Sequence, residues 1–211
     1  MRAGLTLAAA VLLLVASCAA PGGGGAGKNL IVNGGAEGAK GSPDAGVVPV
    51  PGWQVTGTFT AVQYDTPDSD YMKKIDPGPT DRGANYFSGG PDSETSSGTQ
   101  EIDVSRSAGA IDKGSVSFQL AGRLGGWDGQ GDHATLTISF LDSGETTLGQ
   151  VKIGPVGNQD RKGATGLLFR QATGRVPKKT RKIEVVLLLT RTDGVYNDGY
   201  ADNLSLRLSG T

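Results

Sequence analysis

Two acidic residues near opposite ends of the chain carry the first chemical signal. Glu37 closes the stretch NLIVNGGAE (29–37). Asp202 opens a run in which Asp202, Leu204, Leu206 and Leu208 alternate with Asn203, Ser205 and Arg207. That alternation is the period of a strand with one buried face, and it puts Asp202 on the apolar side. A buried carboxylate is costly unless it is neutralised, paired or bound to a metal, so Asp202 is predicted to have a partner, and a cation shared with Glu37 would tie the two ends of one domain together.

A second group of residues has the chemistry of sugar recognition, which uses flat aromatic faces for the C–H side of a ring and planar polar groups for the hydroxyls. Trp127 lies in the glycine-flanked stretch GGWDGQGD with Asp128 beside it, and Gln119 and Arg123 alternate on the polar side of the segment leading into it. Asn85, next to Tyr86, and the pair Tyr196 and Asn197 add further amides and aromatics at predicted strand ends. For Trp127, binding and packing are both open; for Asn85, Tyr196 and Asn197, turn and capping roles compete with binding. Trp53 and Tyr200 are assigned to the core.

Other chemistry is poorly supplied. His133 is the sole histidine and no G-x-S-x-G elbow occurs, which argues against a serine triad. One His and one Cys make zinc an improbable ligand. Gly22 to Lys28 nearly spells a phosphate loop, but Asn29 stands where Ser or Thr is needed. Lysines and arginines number 20 against 21 acids, with no basic stripe interleaved with aromatics, so nucleic acid is not an expected partner. The basic turn KKTRK (178–182) reads as a solvated hairpin end. A carboxylate pair for glycoside hydrolysis, Asp128 with Asp132 or Glu101, depends on separation in space.

The elements that must position these groups are strands. Gly is frequent (35 residues) and turns recur between short Thr, Val and Leu runs. Residues 115–124, 134–141, 145–153, 182–190 and 196–208 are the clearer candidates. Segments 29–33, 56–63, 85–88, 98–104 and 166–176 bring the total to roughly ten, enough for an all-β, two-sheet antiparallel sandwich. The run Val185 to Leu189 is apolar on both faces and implies a central strand. Residues 64–82, rich in Asp and Pro, should form an ordered loop over one end.

The opening NLIVNGGAE with the later Pro51-Gly52-Trp53, and the closing YADNLSL (200–206), resemble the ends of galactose-binding-like jelly-roll domains, the superfamily of many carbohydrate-binding modules. Residues 123–142 resemble a secreted bacterial subgroup of it. The resemblance implies a structural calcium between Glu37 and Asp202, with backbone oxygens near Asn33 to Gly35 completing the shell. Ala36 departs from the pattern, which usually has an aromatic residue before the Glu.

Residues 1–17 carry Arg2, an apolar run and small residues, the layout of a secretory signal too short to span a membrane. Val15-Ala16-Ser17-Cys18 resembles a bacterial lipobox, which implies lipidation at Cys18; an ordinary signal peptide is the alternative. Residues 18–28 would then be a flexible tether and 29–211 the folded domain. The expectation is a monomeric, extracytoplasmic lipoprotein, held to the membrane only by its lipid, that binds a glycan or cell-envelope polysaccharide without catalysis. A structural or adhesive surface protein is the alternative, and a polysaccharide hydrolase a more distant one.

Overall fold

The computed structural model describes residues 27–67 and 70–211; residues 1–17 and Cys18, to which the signal and lipidation expectations belong, lie outside them. Ten strands follow one another: β1 Gln54–Thr56, β2 Thr60–Gln63, β3 Asn85–Pro91, β4 Thr95–Asp103, β5 Ser117–Gly126, β6 His133–Leu141, β7 Thr147–Ile153, β8 Gly166–Arg175, β9 Lys182–Thr190 and β10 Tyr196–Ser209. A short helix, α1 Ala108–Lys113, joins β4 to β5 and ends on Gly114 in the left-handed conformation. The strands form two five-stranded antiparallel sheets, ordered β1-β4-β9-β6-β7 and β2-β3-β10-β5-β8, and the chain passes repeatedly from one sheet to the other. The fold is the all-β sandwich that the alternation and turn spacing predict.

Between the sheets lies a core of alternating inward residues: Phe118, Leu120 and Leu124 from β5, Leu136, Ile138 and Phe140 from β6, Ile183, Val185, Leu187 and Leu189 from β9, and Leu204, Leu206 and Leu208 from β10. Trp53 joins this core as expected, tilted against Phe59 and edge-on to Phe87. β9 is central, as its composition predicts, yet its second face is not covered: Leu188 is 38% exposed. A second, smaller core sits outside the second sheet, where Val62, Tyr64, Met72, Tyr86, Leu167 and Tyr200 pack together. It is closed by residues 64–67 and 70–82, the latter fastened by Arg82, which donates to the carbonyls of Pro79, Lys73 and Asp76.

Two expectations about strands need correction. Segment 29–33 is not a regular strand. It lies beside β10, with Leu30 N–H donating to the Leu206 carbonyl, but Asn29 replaces part of the ladder, its side chain bonding the Leu204 carbonyl and the Leu206 N–H. Gly34 comes so close that a Cβ there would stand 2.2 Å from the Leu204 carbonyl oxygen. Segment 56–63 is split, β1 belonging to the first sheet and β2 to the second.

A third correction concerns the face of Asp202. The register between β10 and β5 shifts between Asp202 and Ser205, and Asn203 adopts a positive φ of 50°. Such a bulge reverses the alternation. Ala201 therefore joins Leu204 in the inter-sheet core, while Asp202 turns outward toward Tyr64 under the second core. Asp202 is buried, but not on the leucine face.

Candidate functional site

The first element of the site is the acid pair. Asp202 is fully buried; its Oδ2 accepts from the Tyr64 hydroxyl at 2.7 Å and its Oδ1 from the Asn203 N–H at 2.7 Å. Glu37 comes from the turn after the N-terminal segment, held by Asn33 Oδ1 accepting from Gly38 N–H. Ala36 is buried with a φ of 61°, a backbone form that bulky side chains adopt reluctantly. Gly35 lies between the acids: a Cβ on it would be 3.7 Å from Asp202 Oδ1 and 4.0 Å from Glu37 Cγ. Burial, with a smaller contribution from the charge of Glu37, pushes the Asp202 carboxyl up to about 7 against the hydrogen bonds from Tyr64 and Asn203 and the charge of Arg82.

The donors here are all oxygen, the chemistry of a hard cation such as calcium. The two acids lie on either side of Gly35, and no group of three or more His, Cys, Asp or Glu able to hold a metal occurs among the described residues. Two of the backbone oxygens named from sequence are engaged: the Asn33 carbonyl accepts from Trp53 Nε1 and Ala36 N–H, and that of Gly34 from Leu204 N–H. Glu37 and Asp202 flank Gly35 as an all-oxygen set of the kind a hard cation takes, with Asn33 acting mainly by shaping the turn.

The second element is the outer surface of the second sheet beyond that loop. Register places side chains in rows across β10, β5 and β8. Asp202, Arg123 and Phe169 form one row, Ser205, Ala121 and Gln171 the next, and Arg207, Gln119 and Thr173 the third. The Arg123 guanidinium lies 5.4 Å from the centroid of the Phe169 ring, and Phe169 is 48% exposed. Gln119 Nε2 donates to Gln171 Oε1 at 3.4 Å. Gln119 and Arg123, named from alternation, are thus on one face with an aromatic and a second amide. Phe169, Gln171 and Arg207 were not named from sequence, although Phe169-x-Gln171 alternates as legibly as Gln119 to Arg123; what sequence lacks is the strand pairing that sets them side by side.

Trp127 stands past the end of β5, half-buried against the second core. Its loop is pinned by Arg161, a buried side chain whose guanidinium donates to the carbonyls of Asp128 (2.8 Å) and Gln130 (2.9 Å) and also reaches those of Ala164 and Trp127. Asp128 is exposed at the loop's tip. Asp132, fully buried, accepts from the N–H groups of Thr192, Asp193 and Asp198, joining this loop to the entry of β10. Asp198 accepts from the Tyr200 hydroxyl; burial pushes its carboxyl up to about 7, with Asp132 and Asp70 adding repulsion and Arg161 opposing it.

The remaining named residues lie apart from the exposed rows. Asn85 is buried, giving its N–H to Glu37 Oε1 at 2.8 Å and its amide to the Ala36 carbonyl, so it supports the acid pair. Asn197 is buried and its amide donates to the carbonyls of Ser93, Glu94 and Leu189. The Tyr196 hydroxyl donates to the Ala45 carbonyl, and its ring stands edge-on to Tyr71. Asp132 is enclosed by backbone donors, while Glu101 belongs to the first sheet and pairs with Lys182 at 3.2 Å, so neither shares a cleft with Asp128. His133 begins β6, its Nδ1 at 2.9 Å from the Gly131 carbonyl.

No protein-family model and no curated relative matches the chain. Solved structures do share its fold. Family 16 Carbohydrate Binding Module-2 is 20% identical, with a TM-score of 0.52 over 84% of this chain and 99% of that one. The enzymatically active domain of bacteriophage CBA120 tailspike protein 4 is 17% identical, with a TM-score of 0.51 over 86% of this chain; the present chain spans 21% of it. The C-terminal family 22 carbohydrate-binding module of Clostridium thermocellum Xyn10B is 12% identical over 85% of this chain, with a TM-score of 0.47.

Proposed function

We propose that this domain binds carbohydrate without catalysis, and that the sugar lies on the outer face of the second sheet across Arg123, Phe169, Gln171 and Gln119. The observation that carries the reading is the half-exposed Phe169 ring held beneath Arg123, with the amides of Gln171 one row and Gln119 two rows away. The ring can stack on the apolar side of a pyranose, while the guanidinium and amides bond its hydroxyls. Trp127 forms the loop wall at one end of that face. The likeness in fold to a carbohydrate-binding module supports the reading at the level of architecture.

In the same proposal a calcium ion is held by Glu37, Asp202 and the Gly35 carbonyl. When bound it supplies positive charge to two carboxylates that otherwise repel each other. Glu37 and Asp202 come from the N-terminal turn and the last strand, so they would cross-link the ends of the domain, while Tyr64 and Asn203 hold Asp202 in place. The Val15 to Cys18 motif supports lipidation and an extracytoplasmic, membrane-anchored location, for which labelling with a fatty-acid probe in wild type and Cys18→Ser is the test.

A glycan array probed with the purified chain tests the main reading. Binding to at least one polysaccharide class, weakened tenfold or more by Phe169→Ala, is the expected result. Absence of binding to every plant, microbial and host glycan, or an unaffected Phe169→Ala, contradicts it. The adhesive alternative has one observation of its own, the outward Val186 and Leu188 on the first sheet; protein capture abolished by Leu188→Thr would favour it.

A further inference from the structure

We propose that the glycan is acidic, its carboxylates read by arginines on the outer face of the second sheet; this rests on the carbohydrate reading above. Arg123, Arg207 and Arg175 stand on that face, on β5, β10 and β8. Pairing sets Arg123 beside Phe169, Arg207 beside Gln119, and Arg175 opposite Ser117. Successive rows are about 7 Å apart, so Arg123 and Arg207 are separated by about 14 Å along the strands, a stretch long enough for several sugar rings.

Among the described residues none of the three forms an ion pair, although other basic residues do. Arg170 meets Asp160, Arg181 meets Asp112, and Lys182 meets Glu101 and Glu145. Arg207 donates to the Gly27 carbonyl and Arg175 to those of Gly114 and Ser115, which fixes them by carbonyls and not by acids; Asp81, which lines the same hollow as Arg207, accepts from Asn203. The acid nearest in register, Asp202, is turned away to Tyr64 and the Asn203 N–H. Along the exposed rows the remaining outward side chains are neutral: Ser117, Gln119, Phe169, Gln171, Thr173 and Ser205.

Guanidinium groups bind carboxylates in a two-pronged, charge-assisted geometry that neutral hydroxyls do not match. A neutral glycan on this face would leave the three cations facing only water. A uronate chain would meet them at intervals while its rings contact Phe169 and the amides. Phosphate polymers could also satisfy arginines, but single-stranded nucleic acid binds to successive stacked aromatics, and Phe169 is the one ring in these rows.

The test compares binding of the purified chain to short galacturonate, alginate and hyaluronan oligomers with binding to their carboxyl-reduced counterparts. Expected is binding to at least one uronate oligomer that falls tenfold or more on carboxyl reduction. It should weaken several-fold between 0.05 and about 0.5 M salt, where screening shortens, and weaken several-fold in Arg123→Gln and in Arg207→Gln, with Arg123→Lys intermediate. Because carboxyl reduction alters the ligand alone, a variant that unfolds does not obscure the result. Equal affinity for acidic and reduced oligomers, or binding to neutral glycans only, overturns the acidic assignment and leaves the carbohydrate reading in place. Absence of binding to any glycan overturns both. Tighter binding to a single-stranded DNA oligomer than to every uronate assigns the arginines to phosphate and overturns the proposal.

Discussion

The sandwich has two outward faces, built on sheets of equal strand number, and they differ in what they leave unsatisfied. On the first sheet Thr135, Thr137 and Thr99 surround Val186 and Leu188, while Glu101 stands directly opposite Glu184. Lys182 answers that acidic corner, 3.2 Å from Glu101 and 2.8 Å from Glu145. On the second sheet one end is roofed by the tyrosine cluster and its loop, and the open end carries arginines without carboxylates and an exposed ring over which one of them lies. Both faces follow from period-two alternation. The first face answers its charges within the protein, and the second is where the proposed ligand would add interactions.

The strongest test of the roofed end is Arg161→Ala. It strips the donors from several loop carbonyls and should cost about 3 kcal/mol, lowering the midpoint of thermal unfolding by about 6–12 °C for a chain of this size, with a change in Trp127 fluorescence. No single polar substitution on the outer face of the first sheet should approach that loss. Next comes Phe169→Ala, expected to weaken glycan binding at least tenfold, about 1.4 kcal/mol, in a titration where Leu188→Thr on the opposite face leaves affinity unchanged. Equal effects on the two faces would remove the distinction between them.

Two smaller effects separate the buried acids. Asp198 faces Asp132, Asp70, Tyr200 and Arg161, and its folded-state pKa of about 7 is above that of an unfolded aspartate. The fold therefore binds the extra proton between roughly pH 4 and 7, and the stability this contributes is complete at the acid end and lost as pH rises through 7. In the absence of calcium, the melting temperature should fall by about 5 °C between pH 5 and 8, and Asp198→Asn should flatten that slope. Millimolar calcium should raise the melting temperature by a few degrees at pH 8 through preferential binding to the folded state, and Glu37→Gln should abolish the rise. The smallest expected effect is Leu188→Thr on stability, within about 0.5 kcal/mol as for other exposed positions.

Much of the scaffold is readable from the chain. The apolar run in 182–190 and the alternation from Asp202 to Leu208 mark the two long central strands, and the turn-rich composition implies many short antiparallel partners. The same reasoning brings Gln119 and Arg123 onto one surface. It does not reach Phe169 or Arg207, since β5, β8 and β10 become neighbours only through sheet order, and sequence distance conceals that register. It also counted Asn85 and Asn197 among ligand groups, whereas each is consumed inside the fold by carbonyls that need a donor.

Asp202 shows where the boundary falls. Its residue type and neighbours indicate a buried carboxylate near the end of the chain, because local alternation and the cost of burying charge are properties of the sequence itself. Which face it takes is decided by the bulge at Asn203, a backbone adjustment that depends on how β10 lies against β5. Its closeness to Glu37, 165 positions earlier, exists only because the N-terminal segment docks on the last strand, where Gly34 and Asn29 let two distant stretches of backbone share hydrogen bonds.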